Sequence, residues 1–180
     1  MPREVFRDGC AEVIKYGVIS DQALFRSLET PINHQLVDVI ARCVTIKRDI
    51  VMEDEFEKGG RKLLNFGHTV GHAIEMLSGY QTSHGLAVAI GMAVESRAAF
   101  RMGFCREDCP REIMRMLRMY ELPENTCFEA DKIASACLAD KKRDGERLTM
   151  IFPTEIGRCV LKEIQVSELI NVIRFGLEAL

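Results

Sequence analysis

The segment Gly85–Met102 is apolar almost all the way round a helix, and this feature constrains the fold more than any other. A helix of that kind is buried at the centre of a domain, because none of its faces suits water. Segments with apolar residues at helical spacing flank it, notably 32–52 and 112–120. We therefore predict a mainly α fold in which other helices surround a central one.

Residues that cap or break helices set the boundaries near the beginning of the chain. A first short helix is predicted over 10–16 and ends near Gly17. The second is predicted over 23–29, where Ser20 or Asp21 can cap it through a side-chain oxygen. Both helices are short, so their stability must come from packing against the rest of the domain.

A further helix is predicted from Leu63 to Gly79, although Gly67 and Gly71 lie inside it. An interior glycine costs about 1 kcal/mol relative to alanine in a helix. Two such glycines therefore indicate that another element approaches this segment closely.

The last part of the chain changes character. Two short segments that favour β-structure, 148–152 and 158–161, flank a turn with proline and glycine, and Ser167 begins a final helix. We expect residues 1–180 to form one domain, a multi-helix fold with a small β-hairpin near the C-terminus.

Composition excludes several functional classes. The formal net charge is -3 and no basic tract occurs, so binding to nucleic acid is not expected. No apolar run approaches the roughly 20 residues that span a bilayer. The chain contains seven cysteines. Because the charged first residues do not form an export signal, we expect reduced thiols, no membrane association and a cytoplasmic location.

Three of the four histidines fall between positions 68 and 84. His68 and His72 are spaced i, i+4 and share one helix face, while His84 begins the next apolar run. Thr69 occupies the position of the catalytic glutamate in HExxH metalloproteases, which excludes that class. Catalytic zinc commonly has three protein ligands. The pattern predicts a metal site, and it leaves the choice among His68, His72 and His84 open.

Polar residues suited to an anionic substrate precede the histidines. Arg61 and Asn65 are one helical turn apart, and Lys47 lies upstream. An arginine presents a planar fork to carboxylate or phosphate, whereas a lysine supplies a point charge. Beside a metal, such residues indicate a substrate with charged oxygens.

Several motifs in this order resemble those of 3-dehydroquinate synthases. They are AEVIKYG at 11–17, IKRDIV at 46–51, RKLLNFGHTVGHA at 61–73, HG at 84–85, GM at 91–92 and DKK at 140–142. The resemblance implies the fold of the helical, metal-binding C-terminal domain of these enzymes. Their N-terminal NAD-binding domain is expected to be absent here, since no glycine-rich strand–turn–helix opens the chain.

The resemblance also implies a role for each matching residue. The ligands of Zn²⁺, or of Co²⁺ in its place, are Glu12, His68 and His84. The catalytic proton-transfer residues are His72 and Glu57. The residues that hold the substrate are Lys15, Lys47, Arg61, Asn65 and one of the pair Lys141 and Lys142, between which spacing does not decide.

The implied reaction converts 3-deoxy-D-arabino-heptulosonate 7-phosphate, a phosphorylated sugar acid, into 3-dehydroquinate and phosphate. It belongs to the shikimate pathway, uses NAD bound by the N-terminal domain, and is carried out by a homodimer.

One residue departs from the family motifs, namely Leu86, where the family has glutamate. The alternatives are another sugar-phosphate cyclase, such as a 2-deoxy-scyllo-inosose or valiolone synthase, and a non-catalytic helical module that keeps the metal site.

Overall fold

A computed structural model of the chain describes residues 2–56, 59–140 and 146–180. The α-helices within these residues are α1 (Arg3–Ser20), α2 (Gln22–Ser27), α3 (Leu36–Glu53), α4 (His68–Leu77), α5 (His84–Arg101), α6 (Asp108–Met119), α7 (Ala130–Asp140) and α8 (Leu169–Leu177). Short 3-10 helices lie at Ile32–His34, Gly60–Asn65 and Val166–Glu168. The strands are β1 (Arg147–Glu155) and β2 (Arg158–Gln165).

Helix α5 lies at the centre of the domain, as the sequence predicts. Its residues are buried from Ala87 to Ala99, and α1, α4, α6 and α8 all pack against it. Glycine allows the close approach of α8. At Gly176 of α8, a Cβ atom would lie 2.3 Å from the carbonyl oxygen of Val94, so α8 rests directly on the α5 backbone.

Two hydrophobic clusters occupy the two sides of α5. One cluster joins α1, α2 and α6 around side chains such as Ile14, Phe25 and Leu117. The other joins α4, α7 and α8 around Ile74, Ile133 and Phe152. The domain therefore has a helical core on both sides of one central helix, which holds α1 and α4 in fixed positions.

The predicted β-hairpin is confirmed. Strands β1 and β2 form a two-stranded antiparallel sheet with Arg147 opposite Gln165 and Phe152 opposite Val160. Gly157, with φ +90°, makes the turn, and its N–H donates to the carbonyl oxygen of Val18. The hairpin is thereby attached to the end of α1.

The predicted helix from Leu63 to Gly79 is wrong in its first part. A 3-10 helix ends at Asn65, and α4 begins only at His68. Between them Gly67 takes φ +78°, a left-handed conformation that glycine adopts without strain. The break turns the chain, so His68 stands at the first position of α4 and not in the middle of a longer helix.

Two other helices differ from prediction. Helix α1 continues through Gly17 to Ser20. Gly17 lies against the backbone and Cβ of Phe25, where a larger residue would collide, so this glycine serves close packing and does not end the helix. Helix α3 packs on the core through Val39 and Ile46, whereas Val37 and Val44 of its apolar pattern are exposed. Apolar spacing correctly indicated a helix there, and it did not identify the buried face.

Helix α7 was not anticipated from sequence. Its residues are small and mixed in polarity, and it forms part of the second cluster through Ile133 and Cys137. The predicted cap of α2 is confirmed at Asp21, whose Oδ1 atom accepts from the N–H of Leu24. No helix in the described part of the chain is long and apolar enough to cross a membrane.

Candidate metal centre

Three helices contribute one side chain each to a group of possible metal ligands. Glu12 lies in the middle of α1, His68 is the first residue of α4 and His84 is the first residue of α5. One donor atom from each of the three lies within 4.8 Å of the others. The structure thus brings together the three residues that the family resemblance implies as ligands, although they are far apart in sequence.

Close contact between α1 and the start of α5 places Glu12 beside His84. A Cβ atom at Gly85 would lie 2.3 Å from the Cα of Asp8, so only glycine permits this approach. The hydroxyl of Ser83 donates to Oδ1 of Asp8 at 2.6 Å and fixes the register of the two helices. Glu12 follows Asp8 by one turn of α1 and therefore faces the same region.

The carboxylate of Glu12 faces both histidines through one oxygen. Its Oε1 atom lies 3.5 Å from Nε2 of His68 and 3.7 Å from Nε2 of His84. Oε1 is buried, and no hydrogen-bond donor among the described residues satisfies it. A buried carboxylate oxygen without a donor is costly, and a cation between the three atoms would compensate it.

The other nitrogen of each histidine ring is engaged elsewhere. Nδ1 of His68 lies 3.1 Å from the carbonyl oxygen of Phe66, which can only accept, so Nδ1 carries the proton. Nδ1 of His84 lies 3.3 Å from a carboxylate oxygen of Glu75. Both rings therefore present the lone pair of Nε2 towards Glu12, as imidazole ligands of zinc do.

Electrostatics keep His68 neutral. Burial, followed by the charge of Lys15, lowers the pKa of His68 to about 4, although Glu12 opposes this shift. Burial raises the pKa of Glu12, but the charge and hydrogen bond of Lys15, together with the charges of His68 and His84, bring its net pKa below the ordinary value. At neutral pH the site therefore presents an anionic carboxylate and a neutral imidazole, the forms that bind metals.

Lys15 is itself almost fully buried beside the site. Its Nζ atom donates to Oε2 of Glu12 at 2.6 Å. Burial lowers the pKa of Lys15, Glu12 raises it, and the charge of Lys47 lowers it further. Of the predicted substrate-binding residues, Lys15 therefore contacts the carboxylate, and Lys47 is near enough for its charge to act on Lys15.

His72 lies close to the same group. The centroid of its ring is 5.5 Å from that of His68 and 6.0 Å from that of His84. His72, Glu75 and His84 form a second set, in which one donor atom from each residue also lies within 4.8 Å of the others. In this set, Glu75 and Nδ1 of His84 already contact each other. The set that contains Glu12 has a buried oxygen without a donor, so we favour it as the metal site.

The remaining predicted residues are less closely gathered. Arg61 and Asn65 lie on the 3-10 helix before α4, where the N–H of Arg61 donates to Asp54 and its guanidinium donates to the carbonyl oxygen of Glu55. Leu86 packs against the hydrophobic core. Three predicted residues lie outside the described part of the chain, and their roles stay predictions: Glu57, Lys141 and Lys142.

Two carboxyl groups near the histidines are not predicted from the sequence. Glu75 contacts His84, as described above, and follows His72 by three residues on the same helix, a spacing that could have indicated it. Glu95 lies fully buried on α5, and its Oε2 accepts from the N–H of Gly67. A carboxyl group in the middle of a mostly apolar helix is the sequence signal for Glu95.

Comparison with known proteins shows which family the chain belongs to. The chain matches the family model described as 3-dehydroquinate synthase C-terminal over residues 9–143. It is 40% identical over 174 residues to the 3-dehydroquinate synthase of Syntrophotalea carbinolica, covering 92% of this chain and 48% of that protein. It is 34% identical over 185 residues to that of Dictyoglomus thermophilum, covering 98% and 52%. The chain spans about half the length of the curated relatives it matches.

Solved structures show the same fold. A 2-epi-5-epi-valiolone synthase from Streptomyces hygroscopicus subsp. jinggangensis 5008, with NAD⁺ and Zn²⁺ bound, superposes with a TM-score of 0.82 at 27% identity, covering 98% of this chain and 52% of that one. A 2-deoxy-scyllo-inosose synthase complexed with carbaglucose-6-phosphate, NAD⁺ and Co²⁺ gives 0.77 at 24% identity with the same coverage. The second likeness concerns the fold alone.

Proposed function

Because the chain belongs to the 3-dehydroquinate synthase family by its C-terminal domain, we propose that it forms the metal-binding and substrate-binding half of such an enzyme. The proposed reaction converts 3-deoxy-D-arabino-heptulosonate 7-phosphate into 3-dehydroquinate and phosphate in the cytoplasm, as part of the shikimate pathway. The enzyme would be a carbon–oxygen lyase that acts on a phosphate. NAD would bind to an N-terminal domain, which corresponds to the half of the related enzymes that this chain does not match. The whole enzyme would be a homodimer.

One observation supports this proposal above the others, the buried Oε1 atom of Glu12 facing two Nε2 atoms. Two imidazole nitrogens and one carboxylate oxygen are a common ligand set of catalytic zinc, which keeps one further position for substrate. Glu12, His68 and His84 would hold the ion. When bound, a divalent cation lowers the pKa of substrate hydroxyls and polarises a carbonyl group.

The neighbouring residues would bind and orient the substrate. Lys15 and Lys47 provide positive charge beside Glu12, which suits the carboxylate and hydroxyl oxygens of a sugar acid. Arg61 and Asn65 would reach the substrate from the 3-10 helix before α4. Holding both ends of the substrate converts ring closure into a reaction between groups already in place.

His72 would transfer protons and not bind the metal. It lies on the same face of α4 as His68, and its ring is near both histidines of the Glu12 set. An imidazole gives and takes protons near neutral pH, which suits general acid–base catalysis. Glu57 is proposed as a second proton-transfer residue.

Zinc uptake by two alanine variants tests the ligand assignment. We expect His84→Ala to abolish zinc binding, because it removes one of three ligands, and His72→Ala to leave it nearly unchanged. Titration against a chromophoric chelator measures both. Equal loss in the two variants would show that the ion is held by the set containing His72 and Glu75.

Phosphate release tests the reaction. The chain would be co-expressed with the N-terminal half of the Syntrophotalea carbinolica enzyme and assayed with NAD and zinc. Release from 3-deoxy-D-arabino-heptulosonate 7-phosphate supports the proposal. Release only from another sugar phosphate indicates a different cyclase, and zinc binding without turnover indicates a non-catalytic module.

A further inference from the structure

A fully buried carboxyl group stands behind the metal centre without touching it. Glu95 belongs to the central helix α5 and is 0% exposed. Placing a carboxyl group in an apolar interior is costly unless it makes compensating hydrogen bonds. Its Oε2 atom accepts from the N–H of Gly67 at 2.9 Å, in a buried contact that joins α5 to the start of α4.

The hydrogen bond of Glu95 reaches His68 through a single peptide group. The N–H of Gly67 and the carbonyl of Phe66 belong to the same planar unit, and in a trans peptide they point in opposite directions. The N–H faces Glu95, and the carbonyl oxygen accepts from Nδ1 of His68 at 3.1 Å. Because the unit is rigid, the group that fixes the N–H also fixes the direction of the carbonyl. We call this series, from Glu95 through the Phe66–Gly67 peptide to His68, the peptide relay.

Packing holds the peptide relay in place from its other sides. Phe66 is fully buried. A Cβ atom at Gly67 would lie 2.7 Å from Cγ of Met92, so this residue lies directly on α5. The carbonyl oxygen of Gly67 accepts from the N–H of Gly71 in the first turn of α4. The peptide group therefore has little freedom to rotate while Glu95 holds it.

We propose that Glu95 is a positioning residue for the metal centre, which through the peptide relay keeps the proton of His68 on Nδ1 and the lone pair of Nε2 directed at Glu12. Hydrogen bonds in series strengthen one another, so a carboxyl group on the N–H makes the carbonyl a better acceptor for Nδ1–H. Groups outside the ligand set that fix the tautomer of a histidine commonly change metal affinity by about 10- to 100-fold. The inference rests on the proposed metal site.

A purely structural role for Glu95 makes a different prediction. A carboxyl group near the N-terminus of α4 also stabilises that helix, since Gly67 has no side chain with which to cap it. Loss of a cap changes the free energy of unfolding, and it leaves the position of the imidazole proton unchanged. The two roles are therefore separated by measurements on His68 itself.

The test compares three variants with the wild-type chain. Glu95→Met removes the acceptor and fills the space with a flexible apolar side chain. Glu95→Gln keeps an acceptor oxygen. Ser96→Ala is the matched control, because Ser96 is equally buried on α5 and its hydroxyl donates only within that helix, to Ala93.

We expect Glu95→Met to raise the dissociation constant for zinc about 10- to 100-fold. Glu95→Gln should stay within about threefold of the wild type, since its amide oxygen can still accept from Gly67. Ser96→Ala should leave the constant unchanged. The ¹⁵N shifts of the imidazole nitrogens in the metal-free protein should show the His68 proton on Nδ1 in the wild type and a mixture of tautomers in Glu95→Met.

Two results would overturn the proposal. One is a folded Glu95→Met protein whose zinc affinity and His68 tautomer match those of Ser96→Ala. The other is a wild-type chain whose His68 carries its proton on Nε2. That result overturns the proposal even where Glu95→Met does not fold. A wild-type chain that binds no zinc contradicts the proposed metal function instead, and the tautomer measurement still tests the peptide relay.

Discussion

Replacing Gly91 with alanine tests how closely α4 and α5 must approach to bring the histidines together. Gly91 lies within α5, opposite the turn that precedes His68. A Cβ atom at this position would lie 1.9 Å from the carbonyl oxygen of Gly67 and 3.0 Å from the N–H nitrogen of Gly71. Carbon and oxygen do not approach to 1.9 Å without bonding, so α4 must move away from α5 by more than about an ångström.

The expected cost follows from two opposing effects. Overpacking of a core costs about 1–3 kcal/mol, and a collision between two backbones belongs at the upper end of that range. Alanine favours the helix over glycine by about 1 kcal/mol. The net loss in the free energy of unfolding should therefore be about 2 kcal/mol. For a chain of this size, that corresponds to a fall in Tm of about 4–8 °C.

Gly9→Ala is the matched control. Gly9 also lies within a helix, α1, and a Cβ atom there would meet nothing within 4 Å. The same change should thus raise Tm by about 2–4 °C, through helix propensity alone. Thermal and urea unfolding of both metal-free variants measure the difference. A Gly91→Ala protein as stable as Gly9→Ala would refute the close packing of α4 on α5.

Three further experiments test the buried guanidinium of α5, the pKa of His68 and the contact between Glu75 and His84. Arg97→Met should lower the free energy of unfolding by about 3 kcal/mol in urea titrations, because the buried guanidinium donates to the carbonyl oxygens of Glu124 and Gly176 and to Oδ1 of Asn125, which would lose their donor. A loss below about 1 kcal/mol would contradict this. Burial and the charge of Lys15 lower the pKa of His68 to about 4. Between pH 4 and the ordinary pKa of 6.5, the unfolded chain therefore binds more protons than the folded chain. The metal-free protein should therefore lose stability as pH falls through this window, and His68→Gln should reduce the slope of unfolding free energy against pH. Glu75→Leu should weaken zinc binding about 10-fold by releasing Nδ1 of His84, measured by chelator competition, and an unchanged constant would exclude that role.

Much of the fold could be predicted from periodicity and turn residues. The all-round apolar pattern identified α5 as central, and the hairpin followed from two β-favouring segments around Pro153 and Gly157. Both signals lie within a short stretch of sequence, and tertiary contacts do not override the local structure that they predict. Family motifs rather than spacing selected Glu12 as a ligand, since nothing in the sequence around it indicates that α1 lies against α5.

The errors have a common physical origin. Gly67 could be interpreted only as a weak point in a helix, whereas its left-handed conformation ends one element and begins another. The exposed apolar residues Val37 and Val44 follow the same spacing as buried ones, so the pattern alone does not tell which face packs inward. Glu95 was missed because its contact is with a backbone N–H, and no side-chain pattern records such a partner.

The most direct test of the metal centre is X-ray absorption at the zinc edge on the zinc-loaded chain. We expect one bound ion with two imidazole nitrogens and oxygen ligands at about 2.0–2.2 Å and no sulfur. We also expect His72→Ala to give the same spectrum as the wild type, whereas His84→Ala should take up no zinc. Sulfur at about 2.3 Å, or the loss of one imidazole ligand in the spectrum of His72→Ala, would contradict the assignment of Glu12, His68 and His84.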